Sequence, residues 1–324
     1  MVFKPSINAL KDNIIIYLVG EANMISINLL IGSFIVLVTL IVMFLADSLN
    51  INKDKGIKIL FILFVLTIIS LTISYFINSS ILLLAGSVYM FAALAFSLLH
   101  SSKFVGNKKT LIFFLLAGFS GFISEILCVK YGLFGEYYYY TGTGLLLNLI
   151  PLLLPISWAV IIYICYTITN FFIYGFGGEK PRYKHNLLYL VGFLVLLSVI
   201  DGMIAVNLDM IMDPVAVSPL VQQWVWVNGG PYFGIPIGNF ILWFLITFVS
   251  TFIFRLYESF KPGDGKSSHN MGLYAYAPVV YFLYLIQQAA FAIELNHIEY
   301  VLIGAATMMP FIILPFLYYV IQKK

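Results

Sequence analysis

Charged residues are scarce in this chain. Of its 324 residues, 10% are Asp, Glu, Lys or Arg and 62% are hydrophobic, and the mean hydropathy is +1.01. A soluble globular domain carries about a quarter charged residues, so this composition excludes that class. The formal net charge is only +3, which gives no indication of nucleic-acid binding, and we expect no nucleic-acid partner.

Residues that bind metals are also few. The chain has two cysteines and four histidines: Cys128, Cys165, His100, His185, His269 and His297. The cysteines lie in separate apolar runs and are predicted to be packed thiols. We place His100, His185 and His269 in cytoplasmic loops and His297 in an outer loop. No zinc or haem ligand set can be built from these residues, so we expect no metal and no organic cofactor.

The first residues do not predict a cleavable signal sequence either. Residues 1–24 do not follow the basic, then apolar, then small-residue order of a signal peptide. They mix charged residues such as Lys4 and Lys11 with apolar ones. This mixture favours an interfacial helix that lies on the outer leaflet.

Long apolar runs are what the chain has in abundance. A helix that spans a bilayer needs about 20 predominantly apolar residues. Nine such runs can be drawn: Ile25–Leu45, Ile57–Ile77, Ile81–Leu99, Leu111–Val129, Leu149–Ile173, Leu187–Val206, Ile237–Leu256, Leu273–Ile293 and Ile298–Val320. The sequence therefore predicts an all-α fold, a polytopic membrane helix bundle with about nine transmembrane helices.

The basic residues predict the direction of these helices. Cytoplasmic loops are enriched in Lys and Arg. If nine helices alternate, all of the 17 basic residues except Lys4, Lys11 and Lys130 fall on one side, with Arg255 and Lys261 in the loop after the seventh run. We therefore predict a multi-pass protein of the cell membrane, with its N-terminus outside and its C-terminus in the cytoplasm.

Residues 1–324 are predicted to form a single integral membrane domain. The first three runs, residues 25–99, hold few polar side chains other than Ser and Thr, which predicts a scaffold. Residues 111–320, which hold the fourth to ninth runs, contain acidic residues inside apolar segments. Such residues are costly to bury in a membrane and indicate a functional site.

The segment from Glu125 to Trp158 is the most informative stretch. Glu125 lies near the end of the fourth run, and a Gly- and Tyr-rich connection leads to Pro151, Pro155 and Trp158 at the start of the fifth. Four consecutive tyrosines, Tyr137 to Tyr140, would by themselves be typical of the aromatic belt at a membrane interface. The glycines around them favour a structured site instead.

A similar arrangement recurs later in the chain. Ile150-Pro151 precedes Trp158 by the same spacing that separates Ile235-Pro236 from Trp243. We interpret this as a weak parallel repeat of helix pairs, with coincidence as the alternative.

The second copy carries aspartates. Asp201 lies within the sixth run, and Asp209 and Asp213 follow at i, i+4, on one face if the helix continues. Pro214 is expected to bias Asp213 out of the helical conformation. Residues 215–238, which include Trp224, Trp226 and Tyr232, are too polar and too rich in Gly and Pro to span, so a re-entrant or capping segment is predicted.

Polar residues continue in the last runs. Asn239 and Trp243 share one face of the seventh run, again at i, i+4. The eighth run carries Gln287 and Gln288 near mid-depth and Glu294 at its outer end. Buried glutamines need hydrogen-bond partners, and contact between helices is the alternative to a role in a site.

Carboxylic acids in an aromatic chamber near a membrane surface suit one kind of chemistry. A buried carboxyl can stay protonated as a general acid while a more solvated one stays ionised. A proton added to a trisubstituted alkene makes a tertiary carbocation, which aromatic faces stabilise. A second carboxylate can then orient the water that captures the cation.

The order of motifs resembles the carotenoid 1,2-hydratase family, which includes the archaeal bisanhydrobacterioruberin hydratases. The first part reads Glu125…Gly132-x-Phe134-Gly135-x-Tyr137-x-Tyr139…Pro151…Pro155-x-x-Trp158. The second reads Asp209-x-x-x-Asp213-Pro214…Trp224-x-Trp226…Gly230-x-Tyr232-Phe233-Gly234-x-Pro236-x-x-Asn239-Phe240-x-x-Trp243. The likeness is clear from Leu111 to Glu258, whereas Leu242 stands where the family pattern suggests a small residue, which leaves the pocket shape open.

The resemblance implies addition of water to the terminal double bond of a long acyclic carotenoid that enters from the bilayer. Membrane lipids and other enzymes of the carotenoid pathway are the further partners that we expect. The candidate catalytic residues are Glu125, Asp209 and Asp213, followed by Asp201 and Glu294. The residues expected to line the substrate pocket are Tyr137, Tyr139, Trp158, Trp224, Trp226, Tyr232, Asn239, Trp243 and Gln287.

Two other classes of protein remain open at this point. Asp209-Met-Ile-Met-Asp213 fits a diphosphate–magnesium motif of a polyprenyl transferase, another membrane isoprenoid enzyme. A lipid transporter would also agree with the repeat and the buried glutamines.

Overall fold

A computed structural model of the chain describes residues 29–46, 48, 51–77, 79–133, 137–141, 145–146, 149–174, 186–219, 221–261 and 275–322. The chain divides into two compact units, Met1–Phe96 and Ser97–Lys324. The interfacial helix predicted for residues 1–24 lies outside the described residues, as do Phe134, Gly135, His185 and His269.

The first unit is built from apolar helices. It contains α1 (Leu29–Leu45), α2 (Lys53–Ile77), α3 (Ser80–Gly86) and the first half of α4 (Tyr89–Phe104). Rings of Phe61 and Phe64 pack on Phe96, with centroids 5.6 and 6.3 Å apart. Several Ser and Thr hydroxyls in this unit bond the backbone about one turn earlier, such as that of Thr72 to the carbonyl of Ile68 at 2.8 Å.

The described residues of the second unit form six long helices and four short strands. After the end of α4, the helices are α5 (Asn107–Tyr131), α6 (Leu154–Tyr174), α7 (Leu187–Ala216), α8 (Ile237–Phe260), α9 (Tyr276–Glu294) and α10 (Ile298–Gln322). Consecutive helices pack as pairs, α5 with α6, α7 with α8, and α9 with α10, and α7 also packs against α6, α9 and α10.

These elements confirm the predicted fold class. Each of the nine apolar runs contains helix in the described residues, and eight helical segments there are long and apolar enough to cross a membrane. The chain is an all-α polytopic membrane protein. The third run is interrupted between α3 and α4, where Ser87 and Val88 form a turn.

The prediction that Pro214 biases Asp213 out of the helical conformation is wrong, because α7 continues through both residues to Ala216. Proline has no N–H, so the carbonyl four residues earlier, that of Met210, loses its helical partner. The hydroxyl of Tyr232 donates to this carbonyl at 2.8 Å. This replacement bond lets the helix carry Asp213 in helical geometry.

The connections at one end of α5–α8 form small β-ribbons. β1 (Tyr138–Tyr140) pairs antiparallel with β4 (Trp224–Trp226), and β2 (Leu145–Leu146) pairs with β3 (Ile150–Pro151). A tight turn follows β4, in which Phe233 and Gly234 have φ of 50° and 86° and Tyr232 pairs with Ile235. This turn delivers Pro236 to the start of α8.

Two residues assigned to cytoplasmic loops lie inside helices instead. His100 is buried in α4, where its Nδ1 lies 2.6 Å from the hydroxyl of Tyr163. Arg255 is buried in α8 and forms an ion pair with Asp201. His100 was misplaced because α4 extends beyond the third run, and Arg255 because a charged residue at the end of the seventh run was assigned to the loop. Each polar group has a partner on a neighbouring helix.

Candidate active site

The site begins at the end of α5. Gly132 caps this helix with a left-handed backbone, φ 63°, and its N–H bonds the carbonyl of Cys128 at 2.9 Å. Glycine adopts this conformation without strain, and a Cβ here would also collide with the ring of Tyr137. Glu125 therefore lies less than two turns from the point where the chain leaves the helix, and only 7% of it is exposed.

Three donors surround the Glu125 carboxyl. The hydroxyl of Tyr138 donates to Oε2 in a short hydrogen bond, and that of Tyr140 donates to the same oxygen at 3.0 Å. The indole N–H of Trp158, on α6, donates to Oε1 at 2.9 Å. Every described polar contact of this carboxyl is thus with a donor.

A glycine makes room for one of these donors. Gly121 lies one turn before Glu125, and a Cβ on it would be 2.3 Å from Cγ of Trp158. The Trp158 ring can therefore lie directly against α5, which places its nitrogen beside the carboxyl.

The alternation of a strand selects which tyrosines reach the site. Tyr138 and Tyr140 point to the same face of β1 because side chains alternate along a strand. Tyr138 is 8% exposed, whereas Tyr137 and Tyr139 are 46% and 52% exposed. The sequence predicted Tyr137 and Tyr139 as pocket residues; the structure brings Tyr138 and Tyr140 to Glu125 instead.

The two phenols remain donors across the ordinary pH range. Burial raises the pKa of Tyr138 and of Tyr140 well above the usual tyrosine value, and the adjacent Glu125 carboxyl raises both further. The pKa of Tyr232 is also raised, to about 12, by burial and by nearby Asp209. All three hydroxyls are therefore protonated at neutral pH.

The second half of the site is a pair of carboxyls on α7. Asp209 and Asp213 are both buried, and the amide nitrogen of Asn239 donates to one oxygen of each at 2.7 Å. The indole N–H of Trp224 donates to the other oxygen of Asp213 at 2.8 Å. The remaining oxygen of Asp209, Oδ1, is buried and has no hydrogen-bond partner among the described residues.

Aromatic rings connect the two halves. Trp158 packs on Trp243 with centroids 4.3 Å apart. Across the ribbon, Tyr138 packs on Trp226 at 4.5 Å and Tyr140 on Trp224 at 5.9 Å. Tyr140 donates to Glu125 and packs on Trp224, which donates to Asp213, so these contacts link Glu125 with the aspartate pair in one cluster.

Asp201 belongs to a different network. Arg255 donates from Nε and from Nη2 to the Asp201 carboxyl at 2.8 to 3.1 Å, and from Nη1 to Oδ1 of Asn170 at 2.6 Å. The guanidinium also lies 4.3 Å from the ring centroid of Tyr166. These contacts join α6, α7 and α8 two turns of α7 before Asp209.

Two other predicted site residues lie on α9. Glu294 is exposed at the last residue of α9, and Gln287 is buried within that helix. Within the described part of the chain, no three His, Cys, Asp or Glu side chains gather closely enough to hold a metal ion. Tyr138, Tyr140 and Arg255 were not predicted from the sequence; strand alternation separates Tyr138 and Tyr140 from Tyr137 and Tyr139 but does not show which pair faces Glu125.

The comparison with protein families gives one match. A family model described as "Carotenoid biosynthesis protein" matches residues 78–311. The chain belongs to this carotenoid biosynthesis family. The match covers all three acids, both strands of the β1–β4 ribbon and Asn239, and it leaves out α1 and α2. No curated protein and no solved structure matches the chain.

Proposed function

We propose that this carotenoid biosynthesis protein adds water to the terminal C=C of a long acyclic carotenoid and forms a tertiary alcohol. The observation that carries the proposal is the contrast between two carboxyl sites in one aromatic cluster. Glu125 meets three donors, whereas Asp209 and Asp213 share one amide. Carboxyls in contrasting environments are typical of a site that divides acid and anionic roles.

Glu125 is the fixed anion in this mechanism. A carboxylate accepts hydrogen bonds with both oxygens, and such bonds from donors favour the ionised form. Its negative charge lies next to the rings of Tyr138 and Tyr140, where it stabilises a cation that forms in the cluster.

The aspartate pair holds one proton. Two buried carboxyls this close cannot both be ionised without strong repulsion. Asp213 accepts two hydrogen bonds and Asp209 accepts one, so the proton resides on Asp209, at the unpartnered Oδ1. Asp209 is then the general acid, and Asp213 is the general base.

The aspartate pair gives up one proton and regains one in each reaction cycle. Asp209 Oδ1 gives its proton to the less substituted alkene carbon, and the π electrons form the new C–H bond. A tertiary carbocation remains on the dimethyl carbon, and the faces of Trp226 and Tyr138 stabilise it by cation–π attraction. Water forms the C–O bond, its proton passes to Asp213, and the pair again holds one proton.

The geometry of the aspartate pair argues against the alternative of a polyprenyl transferase. A diphosphate–magnesium site needs both aspartates to direct oxygens at a cation. Asn239 instead donates its amide N–H groups to both carboxyls.

Pigment analysis tests the proposal. The chain is expressed in two bacterial hosts, one that accumulates lycopene and one that accumulates a longer acyclic carotenoid, and pigments are analysed by mass spectrometry. We expect a gain of one water per modified end with the unmodified chain, and a loss of roughly 100-fold or more in Glu125→Gln and Asp209→Asn.

Asp54→Asn, in the first turn of α2, is the matched acidic control and should retain the product. Each variant is checked for monodisperse, folded protein in detergent. No gain of water in either host, with folded protein in the membrane, would overturn the hydratase proposal. Full product from Glu125→Gln and Asp209→Asn together would remove the assigned roles.

A further inference from the structure

Helix α8 carries a row of aromatic rings that the hydration mechanism does not use. Phe244, Phe248 and Phe252 follow one another at i, i+4, and their rings stack in succession, with centroids 5.9 Å apart and ring planes 9° and 2° from parallel. Offset stacking at this separation is an arrangement that aromatic side chains favour. The three rings form one continuous apolar track along the helix, which we name the aromatic ladder.

The aromatic ladder lies at the border between the inside of the bundle and its outer surface. Its three rings are half-buried. Residues on one side of it are buried and residues on the other side are exposed, namely Trp243, Thr247 and Thr251 against Leu245, Val249 and Ile253. A ligand that rests on the ladder would therefore contact the rings and remain accessible from the bilayer.

One end of the aromatic ladder leads to the aspartate pair. Phe240, one turn before Phe244, packs its ring on Tyr232 with centroids 5.0 Å apart. Its neighbour in the chain, Asn239, bonds both aspartates, and Asp209 is near enough to raise the pKa of Tyr232. A long molecule on the ladder would therefore have one end beside these carboxyls.

A glycine on α7 makes room for the first ring of the ladder. A Cβ on Gly202 would lie 2.7 Å from Cδ2 of Phe244 and 3.1 Å from its backbone oxygen. The Phe244 ring therefore packs directly on the helix that carries both aspartates. This close approach fixes the position of the ladder relative to the acids.

We propose that the aromatic ladder binds the conjugated chain of the substrate and thereby places the terminal alkene at the aspartate pair. From Phe240 to Phe252 the helix rises about 18 Å, which suits an elongated ligand of several isoprene units. A conjugated chain is flat and straight, so its π surface can stack on rings that are parallel to one another. The inference rests on the proposed hydration and adds the binding site for the rest of the carotenoid.

The consequence is a preference for conjugation and not for length alone. Lycopene and phytoene share one carbon skeleton and the same dimethyl alkene ends, but the conjugated part of phytoene is much shorter and its chain is more flexible. A flexible ligand loses more conformational entropy when it binds. We therefore expect the chain to hold lycopene in preference to phytoene.

The experiment measures bound pigment separately from product. Chains with Asp209→Asn, which lack the proposed proton donor, are purified in detergent from bacterial hosts that accumulate lycopene or phytoene, and the carotenoid per folded protein is measured by absorbance after extraction. In this background, Phe248→Leu/Phe252→Leu keeps the surface apolar and removes two rings. We expect bound lycopene to fall at least about fivefold and bound phytoene to change less than about twofold.

Phe119→Leu/Phe282→Leu is the matched control. Both phenylalanines are exposed, on α5 and α9, and neither belongs to the ladder. We expect bound lycopene within about twofold of the Asp209→Asn chain. If Phe248→Leu/Phe252→Leu fails to fold, Phe252→Leu alone, at the end of the ladder farthest from the aspartates, should still lower bound lycopene at least about twofold.

Alcohol formation by the unmodified chain, measured in parallel, separates this site from the proposed function. If no alcohol forms but the ladder variant loses lycopene as expected, hydration fails and the polyene site stands. If alcohol forms while the ladder variant and the control hold equal lycopene, or the Asp209→Asn chain holds none, the polyene site is overturned and lipid covers the ladder. A change of oligomeric size in the ladder variant alone would overturn it too and assign the ladder to contact with a second copy of the chain.

Discussion

Trp158 and Trp243 pack against each other, with ring centroids 4.3 Å apart and ring planes 42° from parallel. Each is the tryptophan of one Ile-Pro…Trp motif, so the two similar stretches of sequence meet inside the cluster. Trp158 also donates to Glu125, while Asn239, one turn before Trp243, binds Asp209 and Asp213. Both helix pairs therefore contribute to a single site; the repeat itself stays a prediction.

The tyrosine run offers a test with internal controls. Tyr138→Phe and Tyr140→Phe each remove a hydrogen bond to the Glu125 carboxyl. A bond to a charged group contributes about 1.5–3 kcal/mol, so we expect hydration to fall roughly 10- to 100-fold in each variant. The measurement is alcohol formed per amount of folded protein.

Tyr137→Phe and Tyr139→Phe are the matched changes on the exposed side of the same run. We expect less than about a twofold effect from each, because surface substitutions rarely alter free energies by more than ~0.5 kcal/mol. A larger loss from this pair than from Tyr138 and Tyr140 would contradict the placement of the strand.

Alkaline pH should destabilise the protein through the same two phenols. Burial and then Glu125 raise the pKa of Tyr138 and Tyr140, so in the unfolded chain these groups ionise at lower pH than in the folded one. The native state then binds more protons than the unfolded state, and stability is lost as pH rises above about 10. Thermal unfolding at pH 9 and pH 11 should show a smaller loss for the double variant Tyr138→Phe/Tyr140→Phe.

A second pair of variants tests the close approach of α5 and α6. Gly121→Ala would place a methyl group 2.3 Å from Trp158 Cγ, so the ring must move away from Glu125. We expect at least about a tenfold loss of hydration, since one hydrogen bond to a charged group is lost. Gly192→Ala, on α7, adds a methyl group with no atom within 4 Å and should retain activity. Equal activity of the two variants would argue against this role of Trp158.

The helices could be predicted from sequence because hydropathy is a local property. Runs of about 20 apolar residues must form helices in a bilayer, since every backbone polar group needs an internal partner there. Asp209, Asp213 and Asn239 could be placed on helix faces for the same reason, because their spacing follows the helical period.

The rest depends on contacts between distant segments. The pairing of β1 with β4 decides that Tyr138 rather than Tyr139 reaches Glu125, and nothing local in a run of four identical residues fixes that choice. Arg255 appeared to be a loop residue because its partner, Asp201, lies on another helix. Helix α7 passes Pro214 because Tyr232 supplies a bond that the sequence of α7 alone does not contain.

The Asp201–Arg255 pair is expected to matter for stability rather than for chemistry. Arg255→Met leaves the buried Asp201 carboxyl without its cation, which typically costs about 3–5 kcal/mol. Asp201→Leu/Arg255→Met removes both charges and should recover most of that loss. Unfolding of the purified unmodified, single-variant and double-variant proteins in detergent gives the free energies of this double-mutant cycle. The double variant should still hydrate substrate. Loss of hydration in a stably folded double variant would instead assign Asp201 a role in the reaction.

The bond from Tyr232 to Met210 makes a prediction about Pro214. Tyr232→Phe leaves the Met210 carbonyl without a partner inside the bundle, which should cost about 1–3 kcal/mol of stability. In a Pro214→Ala background the new backbone N–H can bond that carbonyl, so the same Tyr232→Phe change should cost much less. Unfolding midpoints in one detergent are compared for the unmodified chain, the two single variants and the double variant, and they give the coupling energy between Tyr232 and Pro214. Tyr139→Phe is the control, and we expect no coupling between it and Pro214→Ala. An equal cost of Tyr232→Phe in both backgrounds would mean that the tyrosine does not replace the missing helical bond. The continuation of α7 through Asp213 would then need another explanation.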